Sequence, residues 1–304
     1  REVEIFDFLI SMGICIAVSA ILLSVYKPQS TVLYAREGFV IVALSWIFLS
    51  LFGSVPFMLS GAIPSFIDAL FETVSGFTTT GASVLASVED LPRSILMWRS
   101  FTNWVGGMGV LVFIMAFLPL SGGRNLHILR AESSGPSVSK LVPRVRTTAL
   151  ILYLMYFAFT ALQFVLLLFG KMSVFEALNA SFATAGTGGF GVKNDSMAGY
   201  SPYIQIVITV FLLLFSINFG AYYLAFKGRL KEAVNSEVRA FLIIVAVSIA
   251  IITSNIVHMF DSVSEALRHA AFTVATIVST AGFATTDFDL WPELSKVLIL
   301  FLMC

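Results

Sequence analysis

The sequence predicts an all-α polytopic membrane protein built from repeated span–dip–turn–span units. Three observations predict it. The chain is 58% hydrophobic and 12% charged, about half the charged share of a soluble domain; its mean hydropathy is +0.93. Apolar runs long enough to cross a bilayer, about 20 residues, alternate with runs that are too short. Three of the short runs end in a Thr-x-Gly turn: Thr79-Thr80-Gly81, Thr187-Gly188-Gly189 and Thr280-Ala281-Gly282.

The elements follow in order. Residues 8–26, just after Asp7, form a first span, and a polar turn holds Lys27, Pro28 and Arg36. Residues 38–59 form a second span with Gly53 and Pro56 near its far end. A short helix over 66–77 leads into the first turn, and after the polar stretch 87–93 a span covers 95–120. That span contains Gly106-Gly107-Met108-Gly109, which is expected to bend or thin it. The longest polar loop, 122–146, carries Arg124, His127, Arg130, Lys140, Arg144 and Arg146. The pattern then repeats: 147–169 spans, 174–184 dips, 187–190 turns and 203–226 spans back. A second basic loop (Lys227, Arg229, Lys231, Arg239) precedes a span at 240–260, a dip at 265–278, a turn at 280–283 and a new span from 294. With about 20 residues per crossing, this makes roughly seven crossings and three dips.

The repeats keep register. Asp68 lies thirteen residues before Gly81 and Glu176 thirteen before Gly189, while Phe71 and Phe272 each lie ten before their glycines. The third repeat has His269 where the others have an acid. A period of roughly 100 residues exceeds that of solenoids and suits a ring of like units around an axis. Basic residues gather at the ends opposite the dips, which makes those ends cytoplasmic. Most acids, Glu72 among them, lie on the dip side, so the turns face outward under an acidic mouth.

Each dip therefore reads as a re-entrant pore loop. Dehydrating an ion costs tens of kcal/mol by Born estimates, and a ring of backbone carbonyls can replace the lost water. Irregular backbone at membrane depth is tolerated where it lines a cavity. Glycine reaches conformations that turn carbonyls toward one axis, and a short helix aims its negative C-terminal end at a cation there. Taken singly, each turn also reads as a helix C-cap; three in register favour a filter. Asp68 and Glu176 are expected as helix N-terminal caps, with ion attraction as the other reading. Glu89, Asp90, Asp195 and Asp287 either concentrate cations at the mouth or are solvated loop acids. Arg99 is expected to snorkel to the interface. The glycine cluster at 106–109 is expected to be a packing surface or a gate. The basic loop 124–146 sets topology and touches anionic lipid or docks a cytoplasmic partner. The sequon in the dip at Asn179, and that at Asn194, are discounted as glycosylation sites.

Other classes are set aside. Net charge is zero, which argues against nucleic acid. Cys15 and Cys304 sit in apolar runs and His127, His258 and His269 lie far apart, so no disulfide framework or metal cluster is expected. No serine–histidine or paired-aspartate arrangement points to an enzyme.

Several stretches carry a family likeness: Ser75-Gly76-Phe77-Thr78-Thr79-Thr80-Gly81-Ala82, Trp104-Val105-Gly106-Gly107-Met108-Gly109, Leu129-Arg130-Ala131-Glu132-Ser133, Thr187-Gly188-Gly189-Phe190 and Ser279-Thr280-Ala281-Gly282-Phe283. Through them the chain resembles the Trk/Ktr/HKT potassium transporter superfamily, and most of all its bacterial TrkH-type membrane subunit. The resemblance implies helix–pore-loop–helix units arranged pseudo-fourfold around a central pore, in a homodimer. It implies a cytoplasmic nucleotide-binding regulatory ring (TrkA-like), potassium as substrate, no covalently bound cofactor, and the bacterial inner membrane with the filter outward. The ion ligands would be the backbone of Thr79 and Thr80, Thr187 and Gly188, and Thr280 and Ala281, with Gly81, Gly189 and Gly282 permitting the turns. The first loop departs from the others in having Ala82 where they have phenylalanine. A fourth pore loop and a glycine-rich gating segment are missing, so the chain is expected to be a fragment of a longer one. The division is then 1–36, an extra N-terminal helix and cytoplasmic turn; 37–122, the first repeat; 123–146, a basic loop; 147–228, the second repeat; 229–239, a basic loop; and 240–304, a truncated third repeat. The rival reading is a cation-coupled secondary solute transporter with a midplane site. That fold predicts consecutive repeats of opposite orientation, whereas every dip here enters from the same side.

Overall fold

The computed structural model describes residues 2–26, 35–109 and 145–303, and among them every regular element is helical. Helix α1 (Glu2–Val25) is apolar all round and exposes most of its sides, as a helix meeting lipid does. Helix α2 (Ala35–Gly53) continues into the single turn α3 (Val55–Leu59), whose second residue is Pro56. Three short helices follow the pattern read from the sequence: α4 (Phe66–Phe77) here, α7 (Val174–Ala185) and α12 (Val263–Val278) further on. Twelve residues in α4 and α7 rise about 18 Å, well short of a hydrocarbon core of about 30 Å.

Between them run α5 (Arg93–Gly107), α6 (Val145–Phe169), α8 (Pro202–Ser216), α9 (Phe219–Phe226), α10 (Leu230–Ala233) and α11 (Ser236–Ile256); α13 (Glu293–Leu302) comes last. Four of the described helical segments are long and apolar enough to cross a membrane, and α8 with α9 makes a fifth when counted as one bent span. The stretch 203–226, read from the sequence as a span, is broken in two in the structure. The chain bends by 89° between α8 and α9, where Asn218 accepts a hydrogen bond from the Gly220 amide (2.8 Å) and starts a new helix. Helix α5 ends at Gly107. The remainder of the span expected to residue 120, and most of the basic loop beyond it, lie outside the described residues.

Each short helix packs its apolar face against neighbouring helices, and Phe272 and Ala275 of α12 join the cluster around α7. Ala69 of α4 packs with Phe57, Ile63 and Ile95. Ala177, Ala180 and Ala183 of α7 pack with Trp104, Tyr156, Ile208 and Phe211. Ala266, Ala270 and Val274 of α12 pack with Ile252, Ile256, Trp291 and Ile299. Small residues facing long helices let the backbones approach closely, which is how helices associate where lipid removes the hydrophobic drive.

Candidate functional site

The N-terminal ends of the short helices are held by serines. Ser65, Ser173 and Ser262 accept from the amides of Asp68, Glu176 and Glu265 (3.4, 3.3 and 3.2 Å). Asp68 and Glu176 are therefore third-position acids rather than caps themselves. Glu176 completes a reciprocal box by accepting from the Ser173 amide (3.3 Å). The third repeat does have its acid: α12 is 16 residues long, and Glu265 takes the role one turn before His269. The Ser-x-x-Asp/Glu signature was the signal that would have found all three starts.

The C-terminal ends share one geometry. The amides of Thr79, Thr187 and Thr280 bond back to the carbonyls of Gly76, Thr184 and Ile277 (3.1, 3.0 and 3.0 Å). The next amides, of Thr80, Gly188 and Ala281, bond to Ser75, Ala183 and Thr276 (2.9, 3.0 and 2.9 Å). This is the paired hydrogen bonding of a left-handed C-cap, whose turning residue is usually glycine. Here it is threonine, at φ 56°, 51° and 61°, with glycine two residues on at φ 75°, 74° and 78°. The left-handed region is unusual for a β-branched residue. The C-cap reading thus describes each turn, and it uses only the amides. Among the described residues, no carbonyl of Thr79, Thr80, Gly81, Thr187, Gly188, Gly189, Thr280, Ala281 or Gly282 accepts a hydrogen bond.

The three turns meet. A Cβ built on Gly81 would run into the Gly188 carbonyl oxygen and lie 3.7 Å from that of Ala281. A Cβ on Gly189 would run into the Ala281 carbonyl oxygen. Each glycine therefore rests on the peptide preceding the glycine of the next loop. The series then stops: among the described residues a Cβ on Gly282 would meet nothing within 4 Å, and Thr80 is exposed.

Helix α5 wedges between α4 and α7, and its glycines sit at the closest contacts. A Cβ on Gly106 would strike the Phe77 carbonyl, and one on Gly107 would lie 2.6 Å from Gly186 Cα. Of the two readings for this cluster, close packing is the one that Gly106 and Gly107 serve. The Asn103 amide, oriented to satisfy both neighbours, donates to the Gly76 carbonyl (2.8 Å) and accepts from the Phe190 amide (3.3 Å).

Arg99 does not snorkel. Its side chain is 3% exposed and its Nε lies 2.7 Å from Oε1 of Glu72, which is fully buried. Glu72 is accordingly no part of an acidic mouth. The sequence missed this pair because its partners sit 27 residues apart on two helices. Arg99 in an apolar run was the available signal, since an arginine at membrane depth needs a partner.

The mouth acids divide. Glu89 and Asp195 border one cleft of about 660 Å³ together with Arg93, Glu176 and Lys193, so cations as well as acids line it. Glu89 also accepts from the Asn194 amide (3.0 Å), and the Asn194 side chain accepts from the Val88 amide (2.9 Å). Asp287 caps a short 3-10 turn through the Asp289 amide (2.9 Å), and Asp90 is exposed. Asn179 is buried against Ser100 (2.8 Å), as its place in a dip led one to expect.

Comparison with known proteins gives a consistent result. The family model described as TrkH, cation transport protein, matches residues 4–304. The chain is 37% identical over 292 residues to the Trk system potassium uptake protein TrkH of Halomonas elongata, covering 94% of this chain and 60% of that protein. It is 36% identical over 296 residues to the protein of the same name from Escherichia coli, covering 94% and 61%. The crystal structure of the potassium transporter TrkH from Vibrio parahaemolyticus superposes with a TM-score of 0.84 at 31% identity, over 98% of this chain and 62% of that one. The chain thus spans about three fifths of the length of the relatives it matches.

Proposed function

The chain belongs to the TrkH family of cation transport proteins, and we propose that its three Thr-x-Gly loops form most of a potassium filter. The observation that carries this reading is the set of nine loop carbonyls that have no hydrogen-bond partner among the described residues, borne on three turns of one conformation in mutual contact. Backbone oxygens left unpaired at membrane depth cost several kcal/mol each; a dehydrated cation on their common axis offsets that cost. The three short helices end there, each bringing roughly half a negative charge. The ligands on this reading are the backbone oxygens of Thr79, Thr80, Thr187, Gly188, Thr280 and Ala281. Gly81, Gly189 and Gly282 hold the turns open.

The filter is completed by a fourth loop seated between Gly282 and Thr80, the one seam where the glycine-on-carbonyl series is broken. The assembled protein works as a homodimer in the bacterial inner membrane, filter side outward, and passes potassium under control of a cytoplasmic nucleotide-binding ring. A solute carrier with inverted repeats is disfavoured, since all three short helices direct their C-terminal ends to one place. The test is rubidium uptake into liposomes bearing the full-length protein. Uptake competed by potassium and barely by sodium supports the reading. Uptake competed equally by both, or none above empty liposomes, contradicts it.

A further inference from the structure

Behind the loops lies a buried ion pair that the filter alone does not require. Arg99 Nε bonds Glu72 Oε1 (2.7 Å), Nη2 bonds Ser83 Oγ (3.2 Å) and Nη1 reaches the Gly191 carbonyl (3.4 Å). The guanidinium also sits over the Phe190 ring, 4.2 Å from its centroid. Glu72 in turn accepts from Ser83 Oγ and from the Val84 amide, both at 3.0 Å. Ser83 and Val84 are the limb leaving loop 1; Phe190 and Gly191 are the limb leaving loop 2. One planar group therefore touches the limbs of two neighbouring loops, on the same seam where Gly81 rests on Gly188.

A buried pair is a poor source of stability, because desolvation consumes most of its attraction. What it supplies is geometry: the guanidinium fork has fixed donor directions that an ammonium lacks. The limbs leaving loops 2 and 3 are tied without a charge, the Met197 amide donating to the Ala284 carbonyl (2.9 Å) and the Ala284 amide to Ser196 Oγ (3.1 Å), while His269 Nδ1 meets Thr285 Oγ1 at 2.9 Å within its own repeat. From these contacts we infer that Arg99, anchored by Glu72, is a positioning residue that sets the spacing between loops 1 and 2 and thereby ion selectivity. The inference rests on the filter reading. Carbonyls held at fixed separation favour one ion size or field over another, and a loosened seam lets the oxygens close on a smaller ion.

The test compares potassium and sodium uptake by the full-length protein in liposomes, for Arg99→Lys, Ser83→Ala and Gly81→Ser beside wild type. Arg99→Lys keeps a cation beside Glu72 and loses the fork; Ser83→Ala removes only the hydroxyl link. In protein that elutes as a single species, the potassium-over-sodium ratio is expected to fall about tenfold in Arg99→Lys, or ~1.4 kcal/mol of ion discrimination. A smaller fall is expected in Ser83→Ala. Wild-type ratios in both overturn the inference, and if Arg99→Lys does not fold, Ser83→Ala decides alone. If Gly81→Ser loses selectivity while the other two keep it, the filter stands and the positioning role fails. If Gly81→Ser also keeps it, both fail.

Discussion

Gly81 lies so close to the carbonyl oxygen of Gly188 that a side chain at position 81 would occupy the same space. Gly189 stands in the same relation to Ala281. These two contacts turn three separate loops into consecutive sectors of one ring, and most consequences follow from them.

Gly81→Ser is expected to abolish discrimination between potassium and sodium without unfolding the protein. A serine there has φ 75°, which costs ~1–2 kcal/mol in itself, and its Cβ must push the Gly188 peptide away. Paired uptake of the two ions into liposomes checks it; unchanged selectivity would mean the loops are not the filter.

Gly282 tests closure of the ring. Among the described residues a Cβ there meets nothing, so by itself Gly282→Ser should carry only the ~1–2 kcal/mol backbone cost. With a fourth loop seated at that seam, Gly282→Ser in the full-length protein should damage selectivity as severely as Gly81→Ser. A variant with wild-type selectivity would place no loop there.

Thr187 occupies a left-handed position (φ 51°) where glycine is sterically easier. Thr187→Gly relieves ~1–2 kcal/mol of strain and loses ~0.5–1 kcal/mol to the freer unfolded chain, so thermal stability should stay nearly level. Uptake or selectivity should nonetheless fall if the threonine side chain shapes the loop. Unaltered transport together with raised stability would assign that side chain no role.

Glu72→Ala should be strongly destabilising, by about 3–5 kcal/mol, because it strands the Arg99 charge in a buried site. Glu72→Leu combined with Arg99→Met should recover much of that loss. Thermal unfolding in detergent reads both; a Glu72→Ala protein as stable as wild type would mean that water reaches the pair.

The sequence carried the repeats because their signals are local. The bounds of α4 were legible to the residue, since a polar Pro64-Ser65 start and a Thr-x-Gly stop bracket one apolar run. The Thr-x-Gly turns were legible for the same reason. The Arg99–Glu72 pair was not, because hydropathy places a lone arginine by its own chain and knows nothing of an acid on another helix. The bend at Ile217-Asn218 was missed for a related reason. No proline marks it, and its signs are Gly220 just beyond and an asparagine able to cap a helix inside an otherwise apolar run. Asp287, read as either a mouth acid or a solvated loop acid, likewise has a backbone partner two residues away that the sequence reading did not bring out.

The most direct measurement is the anomalous signal of rubidium in crystals of the full-length protein. The account expects a peak on the common axis of the three loops, ringed by the backbone oxygens of Thr79, Thr80, Thr187, Gly188, Thr280 and Ala281. A peak displaced from that axis, or density for rubidium only at the cleft beside Glu89 and Asp195, would contradict it.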